Sequence, residues 1–313
     1  MARIRTTGIL LPLCLTLCFC IGVVLVLYLQ TIGHIDLVTS TVSTPRATQT
    51  RSFNNTQASS WTPPIPNAAF DLQEALSFLP YGNRQCTKLA DFAWPVRYQE
   101  AAEAHKEALN KTLQGGVRLE GHSGQFQEQQ MVYVKLTQLS FVQTICETGF
   151  NAGHSTLIWL ASKNSTKVFS FDLGNHEYAK KMAEHLQSKY PGRLTVTWGD
   201  STKTLPEFRK DHSKVKCDLL IVDGGHTVPV ATADFENLRE MANAGNIVVF
   251  DDYPTKEGHG KVLAPVWETQ VRSGTLAEQY ACEKNVWRGF ALGHFLFLKM
   301  RNMVDVLENR LLK

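Results

Sequence analysis

The sequence predicts an α/β domain, in which a mostly parallel sheet carries helices on both faces, behind a membrane-spanning segment and a disordered stalk. Three observations lead to this prediction. Short apolar runs alternate with amphipathic helical segments over the second half of the chain, acidic residues follow several of these runs, and 22 consecutive residues near the start (8–29) carry no charge.

Composition narrows the class of protein. The chain has 313 residues, of which 43% are hydrophobic and 19% are charged, so it is too apolar for a disordered protein. Lys and Arg together number 32, against 29 for Asp and Glu. A nearly neutral domain lacks the general basic surface that nucleic acid binding needs, so we expect no nucleic acid partner. The oligomeric state is not predicted.

The apolar segment at 8–30 is predicted to be a transmembrane signal-anchor. As a helix its uncharged run reaches about 30 Å, the thickness of a bilayer core, whereas a cleaved signal peptide usually has only about 7–15 apolar residues. The tail at 1–7 contains Arg3 and Arg5 and no acid, so it is expected to stay in the cytoplasm. We therefore expect a single-pass type II membrane protein facing the secretory-pathway lumen, in the Golgi or at the plasma membrane.

Residues 31–69 are predicted to form a stalk. Between positions 39 and 62, 12 of the 24 residues are Ser or Thr and none is acidic, a composition typical of an O-glycosylated stalk without a core. Sequons for N-glycosylation begin at Asn54, Asn110 and Asn164, in agreement with a lumenal glycoprotein.

Four of the seven cysteines lie outside the anchor, in a part of the chain expected to face an oxidising compartment. Cys86 and Cys282 flank the domain and could form a disulfide. Cys146 and Cys217 lie in apolar strand patterns and are interpreted as buried thiols. The sequence leaves the pairing open, and no spacing is typical of a zinc site.

The folded part divides into an N-terminal helical region at 70–140 and a core at 141–300, followed by a tail at 301–313. Helices are predicted at 98–113 and 125–139. The elements predicted in the core are, in order, strand 141–146, helix 154–161, strand 167–171, helix 176–189, strand 194–198, a short irregular stretch, strand 217–222, helix 230–243, strand 246–250, helix 262–273 and strand 290–299. No long crossover helix accompanies the last strand, so we expect it to be antiparallel.

A glycine turn follows the first strand of the core, and open parallel sheets bind ligands beyond the carboxyl ends of their strands. After Glu147, Gly149 and Gly153 allow a tight turn and the close approach of a ligand, and His154 and Ser155 begin a helix whose free N–H groups attract anions. The spacing G-x-x-x-G differs from the G-x-G-x-x-G of dinucleotide-binding folds. A purely structural turn is the alternative interpretation.

Acidic residues also end the next two strands. Asp172 ends the second strand, where a carboxylate can accept hydrogen bonds from both hydroxyls of a ribose. Asp200, followed by Ser201, ends the third strand, where it can accept a hydrogen bond from an adenine amino group. Each acid has the alternative role of a helix cap, but acids in this order favour a cofactor site.

Further acids, Asp223, Asp251 and Asp252, end the fourth and fifth strands. We expect these carboxylates to converge without a Lys or Arg beside them, so they would repel one another unless a cation lay between them. Oxygen ligands favour Mg²⁺, Mn²⁺ or Ca²⁺ over zinc. The alternative is a set of helix caps and a solvated loop.

Together these motifs resemble the class I S-adenosylmethionine-dependent methyltransferases of the cation-dependent O-methyltransferase type, which include the catechol, caffeoyl-CoA and macrocin-like sugar enzymes. The resemblance covers residues 119–254, including the segment 120–126. It implies a Rossmann-like fold with a seven-stranded sheet. The residues it implies for S-adenosylmethionine are Glu147, Gly149, Gly153, His154, Ser155, Asp172, Asp200, Ser201 and Asp223. Those it implies for a divalent cation, Mg²⁺ in the first instance, are Asp223, Asp251 and Asp252.

Two positions depart from the catechol type. The last metal ligand of that type is Asn, where this chain has Asp252, and its catalytic Lys is replaced here by His226. Both changes favour the macrolide-sugar type, which uses acidic pairs and a His base. The resemblance therefore implies that His226 is the catalytic base, with a helix-capping role as the alternative.

The predicted function is an O-methyltransferase of the secretory-pathway lumen that acts on a hydroxyl of a sugar, a glycan or a catechol-like small molecule. A type II Golgi glycosyltransferase is the main alternative, because it shares the anchor and the stalk. Many such enzymes use a D-x-D motif, which this sequence lacks. A non-catalytic lumenal binding protein on a methyltransferase scaffold is the other alternative.

Overall fold

The computed structural model describes residues 72–80, 84–113 and 118–297. The predicted anchor at 8–30, the stalk at 31–69 and the tail at 301–313 lie outside these ranges. Within them, no helix is both long and apolar enough to cross a membrane.

The described residues form a seven-stranded sheet with the order β3-β2-β1-β4-β5-β7-β6. Strands β1 to β5 are parallel, and β7 pairs antiparallel with both β5 and β6. The strands are β1 Thr144–Thr148, β2 Lys167–Asp172, β3 Leu194–Trp198, β4 Cys217–Val222, β5 Ala242–Asp251, β6 Leu276–Asn285 and β7 Arg288–Phe295. The prediction of a mostly parallel sheet of seven strands with an antiparallel last strand is confirmed.

Helices cover both faces of the sheet, as predicted. The helices are α1 Leu72–Ala75, α2 Val96–Thr112, α3 Gln127–Gln138, α4 His154–Ala161, α5 Glu177–Lys189, α6 Ser201–Asp211, α7 Val228–Met241 and α8 Gly258–Arg272. Alternate side chains of the central strand β4 point to opposite faces. Leu219 and Ile221 pack in the core formed with α2 to α5, and Leu220 and Val222 in the core formed with α6 to α8.

Two elements differ from the sequence prediction. The stretch after β3 is helix α6, not an irregular segment; it contains Pro206 and mostly polar residues, which hide its apolar face of Leu205 and Phe208. Strand β6 had no predicted counterpart, because it lies at the sheet edge and several of its side chains are exposed or half-buried. Such a strand lacks a continuous apolar run.

The four cysteines of the described residues form two disulfides. Cys86 is joined to Cys282, the pair that the sequence allowed. Cys146 of β1 is joined to Cys217 of β4, so the interpretation of these two as buried free thiols is wrong. The sequence does not reveal that β4 lies beside β1, and this adjacency brings the two Cα atoms within 5.9 Å of each other.

The topology decides where the site lies. Because β1 to β5 are parallel, their carboxyl ends meet at one edge of the sheet. Antiparallel β7 runs the other way, and Phe290 near its start pairs with Asp251 at the end of β5. The tip of the β6–β7 hairpin therefore reaches the same edge as the strand ends.

Candidate active site

A cavity of about 1290 Å³ opens at the carboxyl edge of the parallel strands. Pockets for a single small ligand measure about 300–1,000 Å³, so this one has room for two ligands side by side. The predicted site residues that line it are Gly149, His154, Ser155, Asp172, Asp200, Ser201, Asp223, His226, Asp251 and Asp252. The structure thus brings both predicted sets of residues into one cavity.

Gly149 begins the turn after β1 and lies against the end of β4. Its φ is +88°, and a Cβ atom at this position would lie 1.9 Å from the carbonyl oxygen of Asp223. Its backbone N–H donates to the carbonyl of Phe171, at 2.8 Å. Only glycine fits this contact, which joins the turn to the acidic residue at the end of β4.

Glu147 is completely buried beneath the turn and does not line the cavity. Its carboxylate accepts hydrogen bonds from the hydroxyl of Ser155, at 2.9 Å, the hydroxyl of Thr156, and the indole N–H of Trp159, at 2.8 Å. Burial raises the pKa of Glu147, and these donors oppose the rise. These bonds show that Glu147 fixes α4 under the turn; its role in binding the cofactor stays a prediction.

Gly153 also lies outside the cavity lining. It precedes α4 with a φ of +77°, and a Cβ atom would lie 2.8 Å from both Leu186 and Phe150. The absence of a side chain therefore allows the turn to pack closely against α5, and the cofactor role of Gly153 stays a prediction.

Asp172 holds two loops through its two carboxylate oxygens. Oδ2 accepts from the backbone N–H of Asn151, at 2.9 Å, and Oδ1 from that of Gly174, at 2.8 Å. Each carboxylate oxygen can accept more than one hydrogen bond, so both retain capacity for a ligand hydroxyl. The carboxylate orients the glycine turn and remains at the cavity wall.

Asp200 is the N-cap of α6, which was the alternative interpretation of this residue. Its Oδ1 accepts from the backbone N–H of Thr202, at 3.0 Å, and from the hydroxyl of the same residue, at 2.7 Å. These hydrogen bonds lower the pKa of Asp200. Because Asp200 and Ser201 also line the cavity, capping does not remove them from the site.

The acids after β4 and β5 converge as expected. Burial raises the pKa of Asp223 well above its usual value, and the carboxylates of Asp251 and Asp252 raise it further. Burial and Asp251 raise the pKa of Asp252 to about 7. Among the described residues, however, no group of three or more His, Cys, Asp or Glu side chains is already arranged to hold a metal ion.

The expectation that no basic side chain lies beside these acids is wrong. Arg288, at the start of β7, is close enough to lower the pKa values of Asp223 and Asp252. Its guanidinium also donates to the carbonyl of His122, at 3.2 Å. On another side, the Gln129 amide donates to Oδ1 of Asp251, at 2.5 Å, and the buried Oε1 of Gln129 has no hydrogen-bond partner within the described part of the chain.

His226 follows β4 and lies at the acidic group. Its Nε2 is 3.4 Å from Oδ2 of Asp252, and its ring stacks on that of His259 at a centroid distance of 4.0 Å. Burial and the neighbouring His259 lower the pKa of His226. A neutral imidazole has a free lone pair and can accept a proton.

A further group of histidines lies behind the glycine turn. The rings of His122 and His154 stack at a centroid distance of 3.7 Å, and His105 lies 5.2 Å from His154. Burial lowers the pKa values of His105 and His122 to about 4 and that of His154 to about 3. These side chains are neutral and support the turn, with His122 and His154 also lining the cavity.

Sequence reasoning missed several residues of this site. Arg288, His259 and Trp287 line the cavity, and Gln129 contacts Asp251, but none belongs to a recognised motif. Asp234 of α7 is buried under Gly224; burial raises its pKa to about 6, and hydrogen bonds from Ser201 and Thr148 oppose the rise. For Asp234, the sequence offered one indication of a special role, which is an acidic residue on the apolar face of a predicted helix.

Comparison with known proteins agrees with this arrangement. A family model described as a methyltransferase domain matches residues 146–253. No curated protein matches the sequence.

Three solved structures of similar fold are methyltransferases. The O-methyltransferase TomG from Streptomyces achromogenes, in complex with SAM, is 16% identical, covers 66% of this chain and 93% of its own, and has a TM-score of 0.49. The Bacillus cereus O-methyltransferase in complex with SAH is 13% identical, with coverage of 66% and 94% and a TM-score of 0.49. The SAH-bound methyltransferase PaMTH1 from Podospora anserina is 13% identical, with coverage of 65% and 89% and a TM-score of 0.48.

Proposed function

We propose that this chain, which carries a methyltransferase domain at residues 146–253, is an S-adenosylmethionine-dependent O-methyltransferase that uses a divalent cation. One observation carries the proposal. A single cavity contains the glycine turn and acids of the first three strands at one end, and the acidic group with His226 at the other. A methyl donor and a hydroxyl acceptor need such adjacent sites.

The first three strand ends supply the groups that a nucleoside sulfonium needs. The turn at Gly149 lets the backbone approach the donor closely. The carboxylate oxygens of Asp172 can accept further hydrogen bonds, from ribose hydroxyls. Asp200 and Ser201 offer polar groups for adenine. These residues would bind and orient the donor so that its methyl group points toward the fourth and fifth strands.

The acidic group fits a hard cation by its chemistry. Asp223, Asp251 and Asp252 bring oxygen donors together, and their mutual repulsion, seen in the raised pKa values of Asp223 and Asp252, is relieved by a positive charge. Arg288 supplies part of that charge, and side-chain adjustment would complete the ligand set. The ion, Mg²⁺ in our proposal, would lower the pKa of an acceptor hydroxyl and orient it.

His226 is proposed as the general base. Burial and His259 lower the pKa of its imidazole, which favours the form that can accept a proton, and its Nε2 lies 3.4 Å from Oδ2 of Asp252. It takes the hydroxyl proton while the acceptor oxygen bonds to the methyl carbon and the carbon–sulfur bond breaks. The products are a methyl ether and S-adenosylhomocysteine, with the proton on His226. Most of the rate would come from positioning of the two reactants.

We also propose that the domain faces the secretory-pathway lumen behind the anchor at 8–30. Both disulfides support this proposal, because structural disulfides persist in oxidising compartments and are rare in the cytosol. The acceptor in that compartment is a hydroxyl of a sugar, a glycan or a catechol-like molecule.

Calorimetry with the full chain tests the function. S-Adenosylmethionine should bind, and nucleotide sugars should not. Binding of a nucleotide sugar in place of S-adenosylmethionine would instead favour the glycosyltransferase. Binding of Mn²⁺, followed by its electron paramagnetic resonance signal without any acceptor, tests the cation independently of activity.

A further inference from the structure

Three ring-bearing side chains, Trp287, His259 and His226, line the cavity between solvent and the acidic group. Trp287, at the tip of the β6–β7 hairpin, is 57% exposed, although it lines the cavity. Its indole lies against Gly258, where a Cβ atom would be only 2.9 Å from the ring. His259 follows in the chain and stacks on His226, which contacts Asp252.

The hairpin holds this tryptophan in place. Oδ1 of Asn285 accepts from the backbone N–H groups of Trp287, at 2.9 Å, and of Arg288, at 3.0 Å. The backbone N–H of Glu257 donates to the carbonyl of Val286, at 3.1 Å, which ties the hairpin to the start of α8. An exposed indole on an anchored turn is preorganised for a ligand, because little backbone freedom is lost on binding.

Polar side chains also line the cavity. Glu120 and His176 form a pair at 3.0 Å with largely exposed side chains, and both line the cavity with Arg118. The cleft therefore combines ring faces with hydrogen-bonding groups.

We propose that Trp287 selects the acceptor, and that the acceptor is a saccharide of at least two rings. The proposal rests on the proposed methyltransferase function. Sugar rings present C–H faces that stack on an indole and hydroxyl edges that bond to carboxylate and imidazole groups. His226 contacts Asp252, whereas Trp287 packs on Gly258, the residue before His259, so a sugar ring whose hydroxyl lies at His226 leaves Trp287 for another ring of the same acceptor.

A catechol fits this end of the cavity less well. A single flat aromatic ring gains most from an enclosed apolar pocket, which covers both of its faces. Here Trp287 is more than half exposed, and the side chain of His226 is 41% exposed. An open, polar cleft favours a longer and more hydrophilic molecule.

Saturation-transfer NMR with the full chain tests the proposal. The protein is first saturated with S-adenosylhomocysteine, which cannot react, and calorimetry confirms that this nucleoside is bound. The probes are methyl glycosides of neutral and N-acetylated disaccharides, the matching monosaccharides, and catechol. Trp287→Ala is compared with Trp287→Phe, which keeps an aromatic face, and with Phe297→Ala, which removes an exposed aromatic side chain outside the cavity lining.

At least one disaccharide is expected to bind more tightly than its monosaccharide. Trp287→Ala should weaken that disaccharide about tenfold, corresponding to about 1.4 kcal/mol of stacking, while Trp287→Phe and Phe297→Ala change it little. Binding of catechol alone, of no disaccharide, or of a disaccharide equally by wild type and Trp287→Ala would overturn the proposal. Failure of S-adenosylhomocysteine to bind would instead contradict the proposed function.

Discussion

The carbonyl oxygen of Asp223 occupies the space that a Cβ atom at Gly149 would need, 1.9 Å away. This contact joins the glycine turn after β1 to the end of β4, and so joins the proposed donor site to the proposed metal site. Neither site can shift without moving the other, because the two backbones touch.

Gly149→Ala should therefore abolish binding of S-adenosylmethionine and weaken Mn²⁺ binding together, because the turn and Asp223 must separate. Gly192→Ala is the matched control: its φ is also positive, at +71°, but nothing lies within 4 Å of its Cβ position. The control should cost only about 1–2 kcal/mol of stability and leave binding intact. Calorimetry and thermal melts of both variants check this, and donor binding by folded Gly149→Ala would contradict it.

Asp172→Ala should weaken S-adenosylmethionine binding by about 2–3 kcal/mol, because a charge-assisted hydrogen bond to ribose and the anchor of the Asn151 loop are both lost. Asp211→Ala, an exposed acid at the end of α6, is the control and should change nothing. Wild-type affinity in Asp172→Ala would remove this residue from the donor site.

Most strands of the central sheet could be predicted from the sequence, because strands that are buried on both faces form continuous apolar runs. Strand β4, Cys217–Val222, is fully buried and was predicted with the correct bounds. Edge strand β6 was missed because exposed side chains break its apolar pattern. Local patterns report burial: the other edge strand, β3, has only one exposed side chain and was predicted with the correct bounds.

The site residues that directly follow a predicted strand could be identified from the sequence. Those contributed by the β6–β7 hairpin could not. Asp172 and Asp223 follow their strands and line the cavity. Arg288 and Trp287 reach the same edge through an antiparallel hairpin, whose placement depends on pairing with β5. Glu147 has the expected position in the chain, but its side chain points under the turn, where Trp159 and two hydroxyls bind it.

The acidic group gives a prediction that separates metal binding from donor binding. Asp251→Asn with Asp252→Asn should abolish Mn²⁺ binding and methyl transfer but leave S-adenosylmethionine affinity nearly unchanged, because the proposed donor site lies over the first three strand ends. EDTA should reproduce the loss of activity in the wild type, and Mg²⁺ should restore it there only. Both substitutions preserve volume, and a thermal melt checks folding. Full activity in EDTA would refute the cation-dependent mechanism.

The proposed topology predicts glycans on Asn110 and Asn164, both exposed in the described part of the chain. Peptide N-glycosidase should increase the gel mobility of the cellular protein, and Asn110→Gln with Asn164→Gln should abolish the shift due to these two sites. The domain should also resist protease in sealed microsomes until detergent is added. Digestion without detergent would reverse the orientation.

The buried histidines behind the glycine turn predict a loss of stability at acid pH. The pKa of His105 is lowered from about 6.5 to about 4, and that of His154 from about 6.5 to about 3. Between its folded pKa and 6.5, each histidine is therefore protonated in the unfolded chain but not in the folded one. Stability should be independent of these groups above pH 6.5 and should fall below it by about 1.4 kcal/mol per pH unit for each histidine, levelling off near the folded pKa.

His105→Phe removes one of these titrations while keeping a buried ring, so its thermal midpoint should fall less than that of the wild type between pH 6.5 and 4.5. The difference between the two curves isolates His105, because the buried carboxylates, whose raised pKa values act in the opposite direction, are common to both proteins. His212→Gln, an exposed histidine at the end of α6, should follow the wild-type curve. Parallel curves for wild type and His105→Phe would show that His105 is already protonated, or solvated, in the folded protein.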